Sequence, residues 1–248
     1  MIARTVTAGV PFAWFTADEA YGQAKWLQAW LEDQDIWYVM AIRCSDTLTM
    51  PEGEQRADDL IAAVPSRAWQ KISAGAGAHG PREYHWVRIP VRPGWKRGHW
   101  LLARRSLSDP TEIAYYACYG PRRSSTADLA WIAGSRWHIE ECFQQAKGEA
   151  GLDHYQVRSW RAWYAHITLS MLALAWLAAS KAQAEKGIGA TDPGLISYTL
   201  PEIRRLLISL IQRYAPDPGR VWAWSYWRRR RQYQARLCHY RQRGYAVT

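Results

Sequence analysis

Residues 11–42, PFAWFTADEAYGQAKWLQAWLEDQDIWYVMAI, limit the fold more than any other stretch of the chain. An aromatic and apolar run of strand character ends at the acidic pair Asp18 and Glu19. Trp26, Leu27, Trp30 and Leu31 then recur at helical spacing, and IWYVMAI follows as a second continuous apolar run. Neither run alternates apolar with polar residues, so both belong to a sheet covered on its two faces. The expected class is α/β, with residues 1–42 as its first strand, helix and strand.

Over residues 43–120 the texture changes. SAGAGAHGP is glycine-rich turn material, and EYHWVRIPV, HWLLARRS and EIAYYACY are short runs rich in aromatic and branched residues. This stretch reads as a mostly β insertion. Helices resume over residues 121–215. Ser125 or Thr126 can cap the first of them, Asp128 is placed to complete a capping box or to favour the helix dipole, and Gly148 and Gly151 are stop signals. A long helix is expected from Trp160 to Ala184, a glycine-containing break over 186–194, and a further helix in LPEIRRLLISLIQRY. Residues 216–248 form a basic, aromatic tail. The whole reads as one domain carrying an insertion.

Lys and Arg number 32 against 22 Asp and Glu, and the resulting charge of +10 favours a polyanionic partner, nucleic acid foremost. Cys44, Cys118, Cys142 and Cys238 form no C-x-x-C pair, which points away from zinc and redox motifs and toward a reducing cytoplasm. The N-terminus carries no signal-peptide pattern. ITLSMLALAWLAA, residues 167–179, is shorter than the roughly 18 residues a spanning helix needs. It is flanked by His166 and Lys181, so a buried core helix is expected and no membrane partner.

RWHIEECFQQAKGEAGLDHY, from Arg136 to Tyr155, reads as a helix. At about 100° per residue from Arg136, Glu140 lies at about 40° and Lys147 at about 20°, one narrow edge. Ile132, Ile139, Cys142, Phe143 and Ala146 fill an adjoining arc expected to be buried, while Glu141 falls on the solvated side. A carboxylate at a core boundary beside two cations suits a metal ligand with phosphate contacts. Spacing alone favours the plainer reading, a surface ion pair between Arg136 and Glu140. His138 and His166 have no second histidine at metal-binding spacing and are assigned no chemistry.

The order Arg136, Glu140, Lys147, an Arg-x3-Glu-x6-Lys pattern, resembles the signature around the catalytic glutamate of bacterial insertion-sequence DDE transposases. RWHIEECFQQAKGEAGLDHYQVRSWRAWYAHITLSMLALAWLA resembles the C-terminal half of their catalytic domain. Upstream, ADEAYG after a strand resembles the segment with the second catalytic aspartate, and GAGAHGPREYHW resembles part of their β insertion. The signature has Tyr where this chain has Ala133, which puts one phosphate contact in doubt; Trp131 and Trp137 are the neighbouring aromatics.

The resemblance implies an incomplete ribonuclease-H-like core with an inserted mostly-β region and C-terminal helices. It implies Asp18 and Glu140 as catalytic ligands of two divalent metals, Mg2+ or Mn2+, and Arg136 and Lys147 as phosphate contacts. The residues taken alone favour Asp18 as a helix cap, with Glu19 the second choice of ligand. Such enzymes need a further aspartate on an earlier strand, yet only seventeen residues precede Asp18 and none is acidic. The expectation is an N-terminally truncated fragment with an exposed sheet edge, open to a homodimer or a complementary N-terminal fragment.

In the tail, Arg228, Arg229, Arg230 and Arg231, with Arg236, Arg241 and Arg243, alternate with aromatic residues in a pattern suited to double-stranded DNA, here transposon ends. A disordered basic tail is the alternative, and Trp222, Trp224, Tyr226 and Trp227 argue against it. Two rival functions stay open. One is a non-catalytic DNA-binding protein that interferes with an intact transposase; the other is a decayed reading frame.

Overall fold

The computed structural model describes residues 1–77, 80–92, 97–156, 158–186, 194–211 and 217–245. Four of the sequence features fall partly outside them: Ala78 and His79 of the glycine-rich segment, residues 187–193 of the break, residues 212–214 of LPEIRRLLISLIQRY, and residues 216 and 246–248 of the tail. The chain divides into two compact units, residues 1–77 with 81–136, and residues 78–80 with 137–248.

The first unit runs α1 (Ile2–Thr7), β1 (Trp14–Ala17), α2 (Glu19–Gly22), α3 (Lys25–Asp33), β2 (Trp37–Ile42), β3 (Thr47–Met50), β4 (Gly53–Arg56), α4 (Ala57–Ala62), β5 (Gln70–Gly77), β6 (Gly80–Val91), β7 (Gly98–Arg105), β8 (Ile113–Gly120) and α5 (Thr126–Ser135). Six strands make one mixed sheet in the order β1-β2-β8-β7-β6-β5, and β3 pairs β4 separately. β1 and β2 are parallel, with Trp14 opposite Trp37 and Ala17 opposite Met40. β2 then pairs antiparallel with β8, and β8 with β7. Most strands of the stretch read as an insertion therefore extend the sheet that β1 and β2 begin. α4 is a helix within that stretch which its residue texture did not reveal.

Alternation within the strands separates two apolar layers. Tyr38, Met40, Leu101, Ala103, Ala117 and Tyr119 face Leu27 and Leu31 of α3 and Leu60 of α4. Val39, Leu102 and Cys118 face the other way, toward Leu129, Ala130 and Ile132 of α5. Both faces are covered, as the continuous apolar run of β2 required. Ser125 is the residue that caps α5, and its own amide donates to the Asp128 carboxylate at 2.8 Å.

On the α3 side, Glu32 accepts a hydrogen bond from Tyr38 at 2.7 Å and lies 3.2 Å from Arg92 and 3.3 Å from His99. Burial pushes the Glu32 carboxyl up, but the bonds from His99 and Tyr38 and the charge of Arg92 outweigh it and hold it below its ordinary 4.5. A lowered carboxyl stabilises the fold at pH above its unfolded value and loses that contribution as pH falls through the folded value. Denaturant unfolding should therefore show stability falling below about pH 4.5. Glu32→Gln should flatten that dependence; an equal slope in both proteins would remove Glu32 as its source.

The second unit holds α6 (Trp137–Ala150), α7 (Trp160–Lys186), α8 (Leu200–Ile211) and α9 (Pro218–Gln242). Its core is Ala146, Leu174, Leu177, Tyr198, Leu200, Ile203 and Leu206. The expectation of a buried core helix at 167–179 is corrected: in α7 Ser170, Leu174 and Leu177 are buried, whereas Leu169, Leu172 and Trp176 are 64, 63 and 53% exposed. Apolar residues surround this helix, and its packed neighbours cover one strip of it. At 27 residues α7 is also long and apolar enough to cross a membrane by length and composition, because the helix runs well past the apolar run itself.

Within the tail, Pro218–Gln242 form α9, a 25-residue helix whose first turn holds Pro218 and whose cap is Asp217, accepting from the Gly219 amide at 3.2 Å. A disordered tail is not what the residues through Tyr245 form.

Candidate active site

Asp18 directly follows β1, at the carboxyl end of the parallel pair, the end at which open α/β sheets bind ligands. Its side chain is exposed, and Oδ1 accepts from the Tyr21 amide at 3.4 Å, so it does cap the single turn of α2. A carboxylate has about four lone-pair positions, so the cap leaves donor capacity for a cation. Glu19, the second choice, is committed to a salt bridge with Arg43 at 3.1 Å.

The position of Asp18 is fixed from below by Gly22. A Cβ at Gly22 would lie 1.7 Å from the Ala41 carbonyl oxygen, so only glycine lets α2 settle on β2. The buried Gln28 donates from Nε2 to the Gly22 carbonyl at 2.7 Å and ties α3 to the same turn. Neither residue stands out in the sequence, although a glycine between two helical patterns and near a strand is the trace such a close approach leaves.

Arg136 closes α5 in the first unit with helical dihedrals, φ −55° and ψ −32°. The end of α5 is docked tightly: a Cβ at Gly134 would meet the Ala74 carbonyl oxygen at 2.2 Å, and Arg82 donates to the carbonyls of both Gly134 and Ala74, at 3.2 and 2.8 Å. Burial pushes the Tyr116 phenol up, and the charges of Arg104 and Arg136 partly offset it. Ala133 packs, half-buried, against the apolar layer that holds Trp86, Trp100 and Leu102, and Trp131 is 62% exposed.

Glu140 and Lys147 belong to α6 in the second unit, Glu140 half-buried in its first turn and Lys147 exposed in its last. Seven positions put them on one side, about 10 Å apart along the axis. α5 ends at Ser135 and α6 starts at Trp137, and Arg136 between them keeps helical dihedrals. The adjoining arc needs correction. Ala146 is buried and Cys142 and Ala150 pack beside it, but Ile139 and Phe143 are 49 and 48% exposed. The arc is covered along its C-terminal half, where α6 meets its neighbours, and open toward Glu140.

Among the tail arginines, Arg228 donates to Glu202 at 2.9 Å and to Thr199 at 3.2 Å. Arg229 is 4% exposed, donates to the Ile196 carbonyl at 2.8 Å and lies over the Tyr198 ring at 3.7 Å. Arg230 and Arg231 are exposed. The Glu202 carboxylate that anchors this set is fully buried, in a helix whose sequence suggested nothing beyond amphipathic packing.

Among the described residues no three His, Cys, Asp or Glu side chains cluster closely enough to hold a metal ion. Asp18 and Glu140 stand in different units.

The chain matches the family model described as Transposase DDE domain over residues 2–176. No curated protein matches it. The matched span includes Asp18, Arg136, Glu140 and Lys147 and covers more than half of the 248 residues, and the chain therefore belongs to the transposase DDE domain family.

Proposed function

We propose that the protein serves DNA transposition, cleaving and joining strands at insertion-sequence ends, on a ribonuclease-H-like core of which β1 and β2 are two parallel strands. The observation that carries this reading is the family match, which spans the carboxyl end of the β1-β2 pair and the glutamate of α6 in a single alignment. DDE transposases act on DNA and depend on divalent metal ions. In this reading Asp18 and Glu140 are ligands of Mg2+ or Mn2+, and Arg136 and Lys147 hold phosphate oxygens, as do the exposed Arg230 and Arg231 of α9. Residues 43–120 are an insertion into the core, and the protein works in the cytoplasm on double-stranded DNA.

In this reading a complementary segment, or a second copy, supplies the third carboxylate that such a centre needs. The test is strand cleavage of a plasmid bearing insertion-sequence ends, with Mg2+ or Mn2+, by this chain joined to a candidate complementary segment. Cleavage should fall by about 10³-fold in Glu140→Gln, several kcal/mol of transition-state stabilisation, while DNA binding changes little. Full cleavage by Glu140→Gln would sink the assignment.

The exposed arginines of α9, which need no carboxylate centre to bind phosphates, favour a second reading, a DNA-binding protein that occupies transposon ends without cutting them. Here binding would be salt-sensitive and identical in wild type, Asp18→Asn and Glu140→Gln.

A further inference from the structure

We infer that the arginine run of α9 is divided between two jobs: Arg228 and Arg229 lock the helix to the second unit, and its outward arginines form a contact surface for the backbone of duplex DNA. This rests on the reading of the chain as a protein that acts on DNA.

The inward face is centred on Ser225, which is 2% exposed and donates to the buried Glu202 carboxylate. Arg228 bonds the same carboxylate, and Arg229 is spent on the Ile196 carbonyl and the Tyr198 ring. Neither guanidinium is presented to a ligand. They fix the helix rotation, which decides what points outward.

Counting about 100° per residue from Ser225, Arg230 lies at about 140°, Arg241 at about 160°, Trp227 at about 200°, Arg220 at about 220° and Arg231 at about 240°. All five are on the outward half, and all are exposed. From Arg220 to Arg241 the helix rises about 32 Å, close to one turn of a duplex. No acidic residue occurs from Pro218 to the C-terminus, so nothing on α9 neutralises this row. At the Arg220 end it is extended by Arg205 of α8, which shares with Arg220 and Trp224 a groove of about 390 Å³.

A polyanion with regularly spaced charge fits this surface. On the same count Trp224 lies at about 260° and Tyr226 at about 100°, so the outward face interleaves Arg230, Arg231, Gln234 and Arg241 with these two rings and Trp227; duplex DNA is favoured over an anionic membrane because arginines separate the aromatics. A helix that lies in a bilayer surface presents a continuous apolar stripe instead.

The experiment is a salt titration of binding between the full chain and a short duplex, in wild type and in the triple variant Arg230→Gln, Arg231→Gln, Arg241→Gln. Each lost phosphate contact reduces the slope of log K against log salt by about 0.9, so the triple variant should lose about 2.7 and bind roughly 100-fold more weakly at about 0.1 M salt. The matching Lys variant should keep the slope. Arg228→Gln should keep it too while lowering the melting temperature, because its role is to hold the helix. Vesicles of phosphatidylserine and phosphatidylcholine serve as the competing probe. An unchanged slope in the triple Gln variant, or a tighter hold on vesicles than on duplex, overturns the proposal. Loss of slope together with no cleavage by the chain joined to any complementary segment would uphold this surface and count against the transposase reading alone.

Discussion

A Gly22→Ala variant is expected to lose about 3 kcal/mol of stability, at the upper end of what overpacking a closely packed site costs. The added methyl would sit 1.7 Å from the Ala41 carbonyl oxygen and 2.8 Å from its carbon, and neither can move without pulling β2 away from its neighbours. Relief has to come from α2, which would lift from the sheet and break the 2.7 Å bond from Gln28. Asp18 caps that same turn, so the carboxylate would shift with it. Urea unfolding measures the loss, and the comparison is Gly148→Ala. Nothing lies within 4 Å of a Cβ there, in the interior of α6, and alanine should add up to about 1 kcal/mol. Equal midpoints for wild type and Gly22→Ala would show that the turn is free to adjust.

Glu202→Ala should be comparably damaging in the second unit. The carboxylate is fully buried, accepts from Ser225 and pairs with Arg228 at 2.9 Å. Breaking a buried pair by removing one partner costs about 3–5 kcal/mol, because the remaining charge is left without compensation. Arg228 keeps 21% of its side chain exposed and can turn partly to water, which places the expected loss near the lower figure. Limited proteolysis gives the local readout: residues 218–242 should become the preferred cleavage region as α9 detaches. Replacing both members, Glu202→Leu with Arg228→Leu, should recover much of the loss. A protease pattern like that of wild type in Glu202→Ala would mean that other contacts hold the helix.

The parts of the fold legible in the sequence were those where one local pattern dominates. Continuous apolar runs marked β1 and β2, and the aromatic and branched runs marked β6, β7 and β8. Ser125 with Asp128 marked the start of α5. What escaped were features decided by distant partners. α4 is short, and its ADDLIA sequence gives a helix period too few repeats to show. The break between α5 and α6 leaves no trace, since Arg136 keeps helical dihedrals. For α7 the length and the apolarity were readable from local pattern, but coverage depends on which neighbours reach it. Of the candidate site, motif order proposes Asp18 and Glu140, both within the span that the family match covers, while the use of Arg228 and Arg229 inside the second unit was not legible. A run of four arginines looks uniform until the helix rotation assigns two of them to buried partners.

The order of strands in the sheet sets a schedule for assembly. β2 has β1 as one neighbour, close in the chain, but its other neighbour is β8, with Tyr38 opposite Tyr119, 81 positions later. Pairings over such separations are slow to form, since a long loop must close before any contact rewards it. While the chain is being synthesised, β2 therefore waits with one backbone edge unpaired until residue 120 is available, and its apolar residues wait with it. That interval is when strand-to-strand aggregation competes with folding, so yield should depend on temperature and expression rate more strongly than the finished packing suggests.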